Sequence, residues 1–287
     1  MSRFSSETPQ RGFTLVEALV VMVITGIIAA VVAVFIRDPV RSYFDASRRA
    51  RLTDVADTAL RRLTRDLRLA LPNSVRVTTV GSTLFLEFLS TTGGGKYRTE
   101  LTSAGGGDVL EFDSAANPFR FEVIGQMPSK GIAVGNGIVV YNLGPGFGTS
   151  DAYLGSAGNL RTVSAVSGNT ITLSPATVFP QPSRGARFQV VEGPVTYQCS
   201  PNVADPASGG LRRYWGYTIS AAQPTSFTSG SNALLASGVS ACAFSYAPNA
   251  INQRTGLVSL TLTLTDASQG SVESVTLLQE AHVSNVP

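Results

Sequence analysis

The sequence predicts an α+β protein in which one long N-terminal α-helix precedes a head of antiparallel β-strands. Three observations predict this class. Residues 13–36 form an apolar run interrupted by one charge, and residues 37–71 repeat apolar side chains at three- and four-residue steps. After Pro72, short runs of β-branched and aromatic residues alternate with Gly, Ser, Asn and Pro. With only 14% charged residues, 28 Gly and 15 Pro, the composition favours strands joined by loops over a helical bundle.

The apolar run at residues 13–36 is long enough to cross a membrane. As a helix it would measure roughly 36 Å at about 1.5 Å per residue, against a hydrocarbon core of about 30 Å. Glu17 lies inside this run. Because a charge at the centre of a membrane helix costs about 2.5–3.5 kcal/mol on insertion scales, Glu17 is expected to have a partner.

The residues before the run suggest what that partner is. Residues 1–12 are polar, carry Arg3 and Arg11, and lack the small-residue cleavage site of a secretory signal. Cleavage between Gly12 and Phe13 would place a new cationic α-amine one helical turn from Glu17. An ion pair between the two, within one chain or between neighbours, would neutralise both charges. The alternative is a plain single-pass anchor with an isolated Glu.

The stretch from Gly12 to Glu17 reads GFTLVE, and with the apolar run behind it the sequence resembles the N-terminus of type IV prepilins. The resemblance implies that a prepilin peptidase removes residues 1–12, methylates Phe13 to N-methylphenylalanine, and leaves Glu17 for subunit assembly. It also implies no cofactor, a single-pass inner-membrane precursor surrounded by lipid, and a periplasmic head. The implied partners are prepilin peptidase, an inner-membrane assembly platform, and other major and minor pilins in an extracellular pilus or a periplasmic pseudopilus.

Further blocks are similar to minor pilins of the mannose-sensitive haemagglutinin (MSHA) type IV pilus system. They are spread over most of the chain: the stretch at residues 37–77, IVVYNLG, VTYQCSP, LRRYWGYTI, VSACAFSY and HVSNVP. Two alternatives stay open. One is a minor pseudopilin of type II secretion, and the other, from a different class, is a membrane-anchored periplasmic enzyme or carbohydrate-binding module that uses Trp215 and Tyr217.

The second part of the helix, residues 37–71, is predicted to be amphipathic and to lie on a sheet. Pro39 is expected to end or kink the spanning segment, and Gly26 is a second weak point. Pro72 disfavours helical geometry in the residue before it, which predicts a helix end at Leu71. The arginine-rich face of this part is either solvated or a docking surface for neighbouring subunits.

Cys199 and Cys242 are the only cysteines, and both lie in strand-like contexts. A lone pair suits a disulfide in an oxidising compartment, with two separate buried thiols as the alternative. The positive-inside rule points the other way, because five arginines between residues 37 and 51 outnumber Arg3 and Arg11. We predict the disulfide and, with it, a periplasmic head.

Residues 72–287 are predicted to form one β-rich domain, with glycine triplets at residues 93–95 and 105–107 as loop tips. The predicted strands are residues 75–79, 83–90, 108–113, 119–124, 137–142, 160–166, 169–174, 187–192, 195–199, 211–219, 239–246, 257–266 and 272–283.

The head offers little for catalysis or nucleic-acid binding. His282 is the only histidine, so a Ser-His-Asp triad or a His-rich metal site lacks its parts, and we predict no enzyme and no metal. Residues 72–287 hold eleven Lys or Arg against twelve Asp or Glu, without the basic surface that nucleic acid requires. The aromatic residues Tyr214, Trp215 and Tyr217 are expected to be core, with a ligand or partner surface as the alternative.

Overall fold

The computed structural model describes residues 12–113, 119–251, 254–268 and 271–287. Of the predicted leader, only Gly12 falls within these residues. Residues 51–287 form one compact unit, and residues 12–50 belong to another. The predicted α+β class is confirmed: one long apolar helix is followed by antiparallel strands.

The helix, α1, spans Leu15–Leu67 without interruption. It continues through Gly26 and Pro39, so the expectation that the helix ends at Pro39 is wrong, while a kink at either residue stays a prediction. A proline inside a long helix removes one hydrogen bond, which the turns on either side can tolerate. The helix ends four residues before the predicted Leu71, because the backbone N–H of Leu71 donates to the carbonyl oxygen of Leu89 at 2.7 Å instead of continuing the helix.

Twelve strands follow among the described residues, and every pairing between them is antiparallel. They are β1 Arg76–Val80, β2 Thr83–Tyr97, β3 Arg120–Ile124, β4 Gly137–Val139, β5 Leu160–Ser167, β6 Thr170–Ser174, β7 Arg187–Ser200, β8 Gly210–Trp215, β9 Ser231–Ser237, β10 Val239–Ile251, β11 Thr255–Asp266 and β12 Glu273–Ser284.

Strand β2 corrects the prediction that residues 93–95 form a loop tip. The three glycines lie inside β2, with Gly94 opposite Gln189 and Gly95 opposite Phe188 in β7. A Cβ on Gly94 would lie 2.6 Å from the carbonyl oxygen of Phe188, and one on Gly95 would lie 2.8 Å from its ring. The lack of a side chain at Gly94 and Gly95 therefore allows β2 and β7 to approach closely.

Other boundaries also differ from the prediction. Residues 108–113 form no strand, and the two strands predicted on either side of Gly193 are one continuous strand, β7. Strand β8 ends at Trp215 and not at residue 219, and β9 was not predicted at all. The other glycine triplet, residues 105–107, does lie in a loop.

The first sheet contains a closed ring of strands. Because β2 pairs with both β3 and β7, and β7 also pairs with β4, the order β2-β3-β6-β5-β4-β7 returns to β2 and forms a barrel. Its interior is filled by apolar side chains that include Tyr97, Phe121, Phe179 and Phe188. Strand β1 extends the sheet beside β2, and β8 and β9 extend it beside β7.

The main core is formed by the C-terminal part of α1, the first sheet and the second sheet, β10-β11-β12. Leu60, Leu63 and Leu67 of α1 are almost fully buried in it. Each such burial contributes about 1.5–3 kcal/mol. The predicted disulfide between Cys199 of β7 and Cys242 of β10 is present and links the two sheets.

Candidate functional site

The predicted cleavage site lies immediately in front of α1. Gly12 and Phe13 are exposed and outside the helix, which begins at Leu15. Thr14 caps the helix, because its Oγ1 accepts a hydrogen bond of 3.2 Å from the backbone N–H of Glu17. The peptide bond between Gly12 and Phe13 therefore precedes the helix and takes part in no helical hydrogen bond with the described residues.

Glu17 occupies the third helical position, which completes a Thr-x-x-Glu spacing typical of a capping box. Its carboxylate is exposed and forms no ion pair with any residue of the described ranges. A negative charge in the first turn is stabilised by the helix dipole, by about 0.3–1 kcal/mol. The role of Thr14 as the cap was missed at the sequence level, although the Thr-x-x-Glu spacing could have revealed it.

Between Glu17 and Arg37 the helix presents an exposed apolar surface in which Thr25 is the one polar side chain. Within the described residues, α1 is the one helix long and apolar enough to cross a membrane, and its most apolar window is not buried. The side-chain hydroxyl of Thr25 donates to the backbone carbonyl oxygen of Val21, so this polar group is satisfied inside the apolar segment. An exposed apolar surface of this size requires an apolar environment around it.

A second cluster fixes the C-terminal part of α1 to the first sheet. Asp66 accepts hydrogen bonds from the hydroxyl of Tyr197 at 2.8 Å and from Nε of Arg213 at 2.7 Å. Nε of Arg62 forms an ion pair with the same carboxylate at 3.3 Å. Burial and the neighbouring Asp66 raise the pKa of the Tyr197 phenol, which therefore stays a hydrogen-bond donor. We call Asp66, Tyr197, Arg213 and Arg62 the Asp66 cluster.

The opposite face of the first sheet carries another buried carboxylate, Glu87. It pairs with Nε of Arg76 at 2.6 Å and accepts a hydrogen bond of 2.9 Å from the hydroxyl of Tyr217. Burial raises the pKa of the Glu87 carboxyl, although the hydrogen bond and charge of Arg76 lower it. The salt bridge with Arg76 and the hydrogen bond from Tyr217 hold this face together. Neither contact was predicted from the sequence.

Trp215 and Tyr217 do not form one binding surface. Trp215 packs against the main core on the α1 side of the sheet, and Arg213 lies over its ring with Cζ 4.8 Å from the centroid. Tyr217 reaches Glu87 and Thr196 on the other side. The two aromatic residues therefore do not share one carbohydrate site, and Trp215 is a half-buried residue at the edge of the core.

Neither His282 nor the acidic residues form a metal site among the described residues, where no group of three or more His, Cys, Asp or Glu side chains converges. His282 is exposed on β12, opposite Leu257. The described geometry around it contains no catalytic arrangement to which a reaction could be assigned.

Comparison with known proteins gives one match. The family model described as the prokaryotic N-terminal methylation motif matches residues 8–33, which contain Gly12, Phe13 and Glu17. No curated protein and no solved structure matches the chain. The motif supports a type IV pilin-like protein that is processed by prepilin peptidase and assembles with other pilins, and it fits a precursor anchored by one membrane helix.

Proposed function

We propose that this chain is a minor pilin of an MSHA-type type IV pilus, like the subunit MshO, and that it takes part in pilus assembly or initiation, adhesion or motility. The observation that supports a pilin-like subunit is the methylation motif at residues 8–33, which leads into an exposed apolar helix followed by a β-rich head.

Processing prepares the chain for assembly. Hydrolysis of the peptide bond between Gly12 and Phe13 releases residues 1–12 and leaves Phe13 with a free α-amine, which is then methylated and remains cationic. Thr14 and the first turn of α1 hold Glu17 close behind this new terminus. In the membrane the apolar surface of α1 is covered by lipid, and in the filament by the helices of neighbouring pilins.

Glu17 sets the register of the subunit in the filament. Inside an apolar bundle an unpaired carboxylate is costly, so the position that brings Glu17 next to the N-terminal amine of a neighbouring subunit is favoured over positions one or more turns away. An assembly platform in the inner membrane supplies these neighbours. The proposed role is structural and needs no cofactor, catalytic residue or nucleic acid.

The assignment to an MSHA-type pilus is supported by the sequence blocks of the head. The blocks IVVYNLG, VTYQCSP, LRRYWGYTI, VSACAFSY and HVSNVP overlap strands β4, β7, β8, β10 and β12, so the proposed resemblance rests on the head as well as on the N-terminus. A type II secretion pseudopilin shares the N-terminal motif and is the alternative. Loss of surface pili on deletion of the gene favours the pilin, whereas loss of protein secretion with pili intact favours the pseudopilin.

The variant Glu17→Ala tests the mechanism. We expect normal cleavage of the precursor and a normal amount of mature protein in the membrane, because the peptidase site at Gly12 and Phe13 is unchanged. Incorporation into pili sheared from the cells should fall strongly, as measured by immunoblotting with an antibody against the head. Glu17→Asp, which keeps the charge, is the matched control, and wild-type incorporation of Glu17→Ala would refute the role of the carboxylate.

A further inference from the structure

The second sheet ends in a free edge at strand β12. On one side β12 pairs with β11, and on the other side no strand of the described residues pairs with it. The backbone N–H and C=O groups on that side are therefore open to a further strand. Proteins usually block such an edge with a bulge, a proline, lysine side chains or a very short strand, and an edge without these features pairs with another chain.

The strands at the ends of the two described sheets differ in how well their edges are blocked. These strands are β1 and β9 in the first sheet and β10 and β12 in the second. β1 has five residues, β9 has seven and a register shift against β8, and β10 has two register shifts and contains Pro248. β12 has twelve residues without Pro, Lys or Arg, and they pair with β11 without a register shift. The edge of β12 is therefore the least protected of the four.

The backbone of β12 alternates between residues that bond to β11 and residues that face the free edge. The N–H of Asn285 donates to the carbonyl oxygen of Arg254 at 2.9 Å, one step beyond the pair Thr255 and Ser284. The odd-numbered positions of β12 are therefore the ones bonded to β11, and the even-numbered positions direct their N–H and C=O groups to the free edge. The side chains at these even-numbered positions are all exposed: Ser274, Thr276, Leu278, Glu280, His282 and Ser284.

The order of side chains along this edge makes it complementary to a second copy of itself. If two copies pair antiparallel about a two-fold axis at Ala281, Glu280 of each copy lies opposite His282 of the other. Residues directly opposite each other have Cβ atoms about 5 Å apart, so the imidazole can donate to the carboxylate. An axis at Glu280 would place two carboxylates opposite each other, which is unfavourable. Neither Glu280 nor His282 has an ion-pair partner within the ranges that the structure describes.

We propose that β12 is a self-association surface, at which two copies of this chain pair their β12 strands antiparallel about a two-fold axis at Ala281. Residues 278–284 of the two copies then exchange about eight backbone hydrogen bonds. Two sheets of three strands become one sheet of six. Because the same edge is used by both copies, the contact closes at a dimer and does not continue into a fibre. This inference goes beyond the proposed role in pilus assembly and does not depend on it, since the residues that carry it all lie in the head.

Sedimentation equilibrium of the full chain, in a detergent whose density matches the solvent, measures the oligomeric state. We expect a dimer that dissociates on dilution. Amide hydrogen exchange at the same concentrations locates the contact, because the outward N–H groups of Leu278, Glu280 and His282 should be protected in the dimer and exchange in the monomer. The odd-numbered N–H groups should be protected in both. A monomer at every concentration, or a dimer in which the outward N–H groups exchange freely, would overturn the proposal.

A charge swap tests the register of the two strands. His282→Glu places a carboxylate opposite Glu280 twice by symmetry and should weaken dimerisation by about tenfold or more. The double variant Glu280→Lys with His282→Glu pairs an ammonium with a carboxylate and should dimerise as the wild type does. Ala243→Glu is the matched control, because Ala243 is exposed on the same face of the second sheet but lies on β10, at the opposite edge. Unchanged dimerisation of His282→Glu, or no recovery in the double variant, would contradict the proposed pairing.

Discussion

Asp66 provides the sharpest test of how the helix is fixed to the head. Its carboxylate accepts hydrogen bonds from the hydroxyl of Tyr197 and from Nε of Arg213. Both partners lie on strands that are far from Asp66 in sequence. The variant Asp66→Ala removes the acceptor and leaves these two groups in place. Asp57→Ala, on the same helix, removes a carboxylate whose partner is the exposed Arg61, and it is the matched control.

The exposed fraction of each ion pair determines how much stability the protein is expected to lose when its carboxylate is removed. The side chains of Asp66 and Arg213 are only 13% and 14% exposed, so Asp66→Ala leaves a buried guanidinium and a buried phenol without their partner. Removing one partner of a buried ion pair costs about 3–5 kcal/mol. Arg62 is 49% exposed and adds little to this loss. In the control, Asp57 and Arg61 are 38% and 70% exposed, and we expect no measurable loss of stability.

Urea unfolding of the full chain in detergent measures both variants. Trp215 fluorescence follows the first sheet, and far-UV circular dichroism follows the secondary structure, so the two signals together monitor the head. We expect a large decrease in the unfolding midpoint for Asp66→Ala and a wild-type midpoint for Asp57→Ala. Equal midpoints for the two variants would refute the conclusion that the Asp66 cluster holds the helix on the sheet.

Two further predictions concern the head. Replacing both Cys199 and Cys242 by Ala should lower the free energy of unfolding by about 4 kcal/mol, because the bridge spans 43 residues of sequence. Urea unfolding checks this, with reduced wild-type protein expected to match the variant, and an unchanged midpoint would contradict it. Burial raises the pKa of Glu87, so its folded form binds a proton more readily than its unfolded form and stability should fall as pH rises through that raised pKa. The Glu87→Gln variant should not show this decrease of stability when urea midpoints are measured from acidic to neutral pH. The same pH dependence in the wild type and the variant would contradict the assignment of the effect to Glu87.

The N-terminal methylation motif and the apolar helix could be predicted from the sequence because their signals are local. Gly12, Phe13 and Glu17 lie within six residues of one another, and the apolar run behind them has a length set by membrane thickness. The continuation of α1 through Pro39 could not be predicted with the same rules. A proline signals the end of a short helix, but the backbone hydrogen bonds of many helical turns on both sides can outweigh the one that is lost.

The barrel could not be predicted from the sequence, because it depends on pairing between strands that are far apart along the chain. Lys96 of β2 pairs with Arg187 of β7, and nothing in either strand indicates a partner about ninety residues away. The glycines at residues 93–95 illustrate the same limit. Glycine marks a loop when it supplies an unusual backbone conformation, and here it also allows two strands to approach closely, which only the partner strand reveals.

The prediction that Trp215 and Tyr217 form one binding surface is wrong for a local reason. Residues two apart on a strand share a face, so Trp215 and Tyr217 were grouped. Strand β8 ends at Trp215, and Gly216 has a φ of 74°, a backbone conformation that turns the chain and sends Tyr217 to the opposite side. Trp215 instead packs against the main core on the α1 side of the sheet, with Arg213 over its ring.

The central claim is that the mature chain begins at Phe13, and intact-protein mass spectrometry of the N-terminus tests it most directly. The protein is isolated from membranes of cells with and without a prepilin peptidase. With the peptidase, the account predicts a chain that lacks residues 1–12 and starts with N-methylphenylalanine, and without it a chain that keeps the leader. A mature protein that still starts at Met1 in peptidase-competent cells would contradict the account.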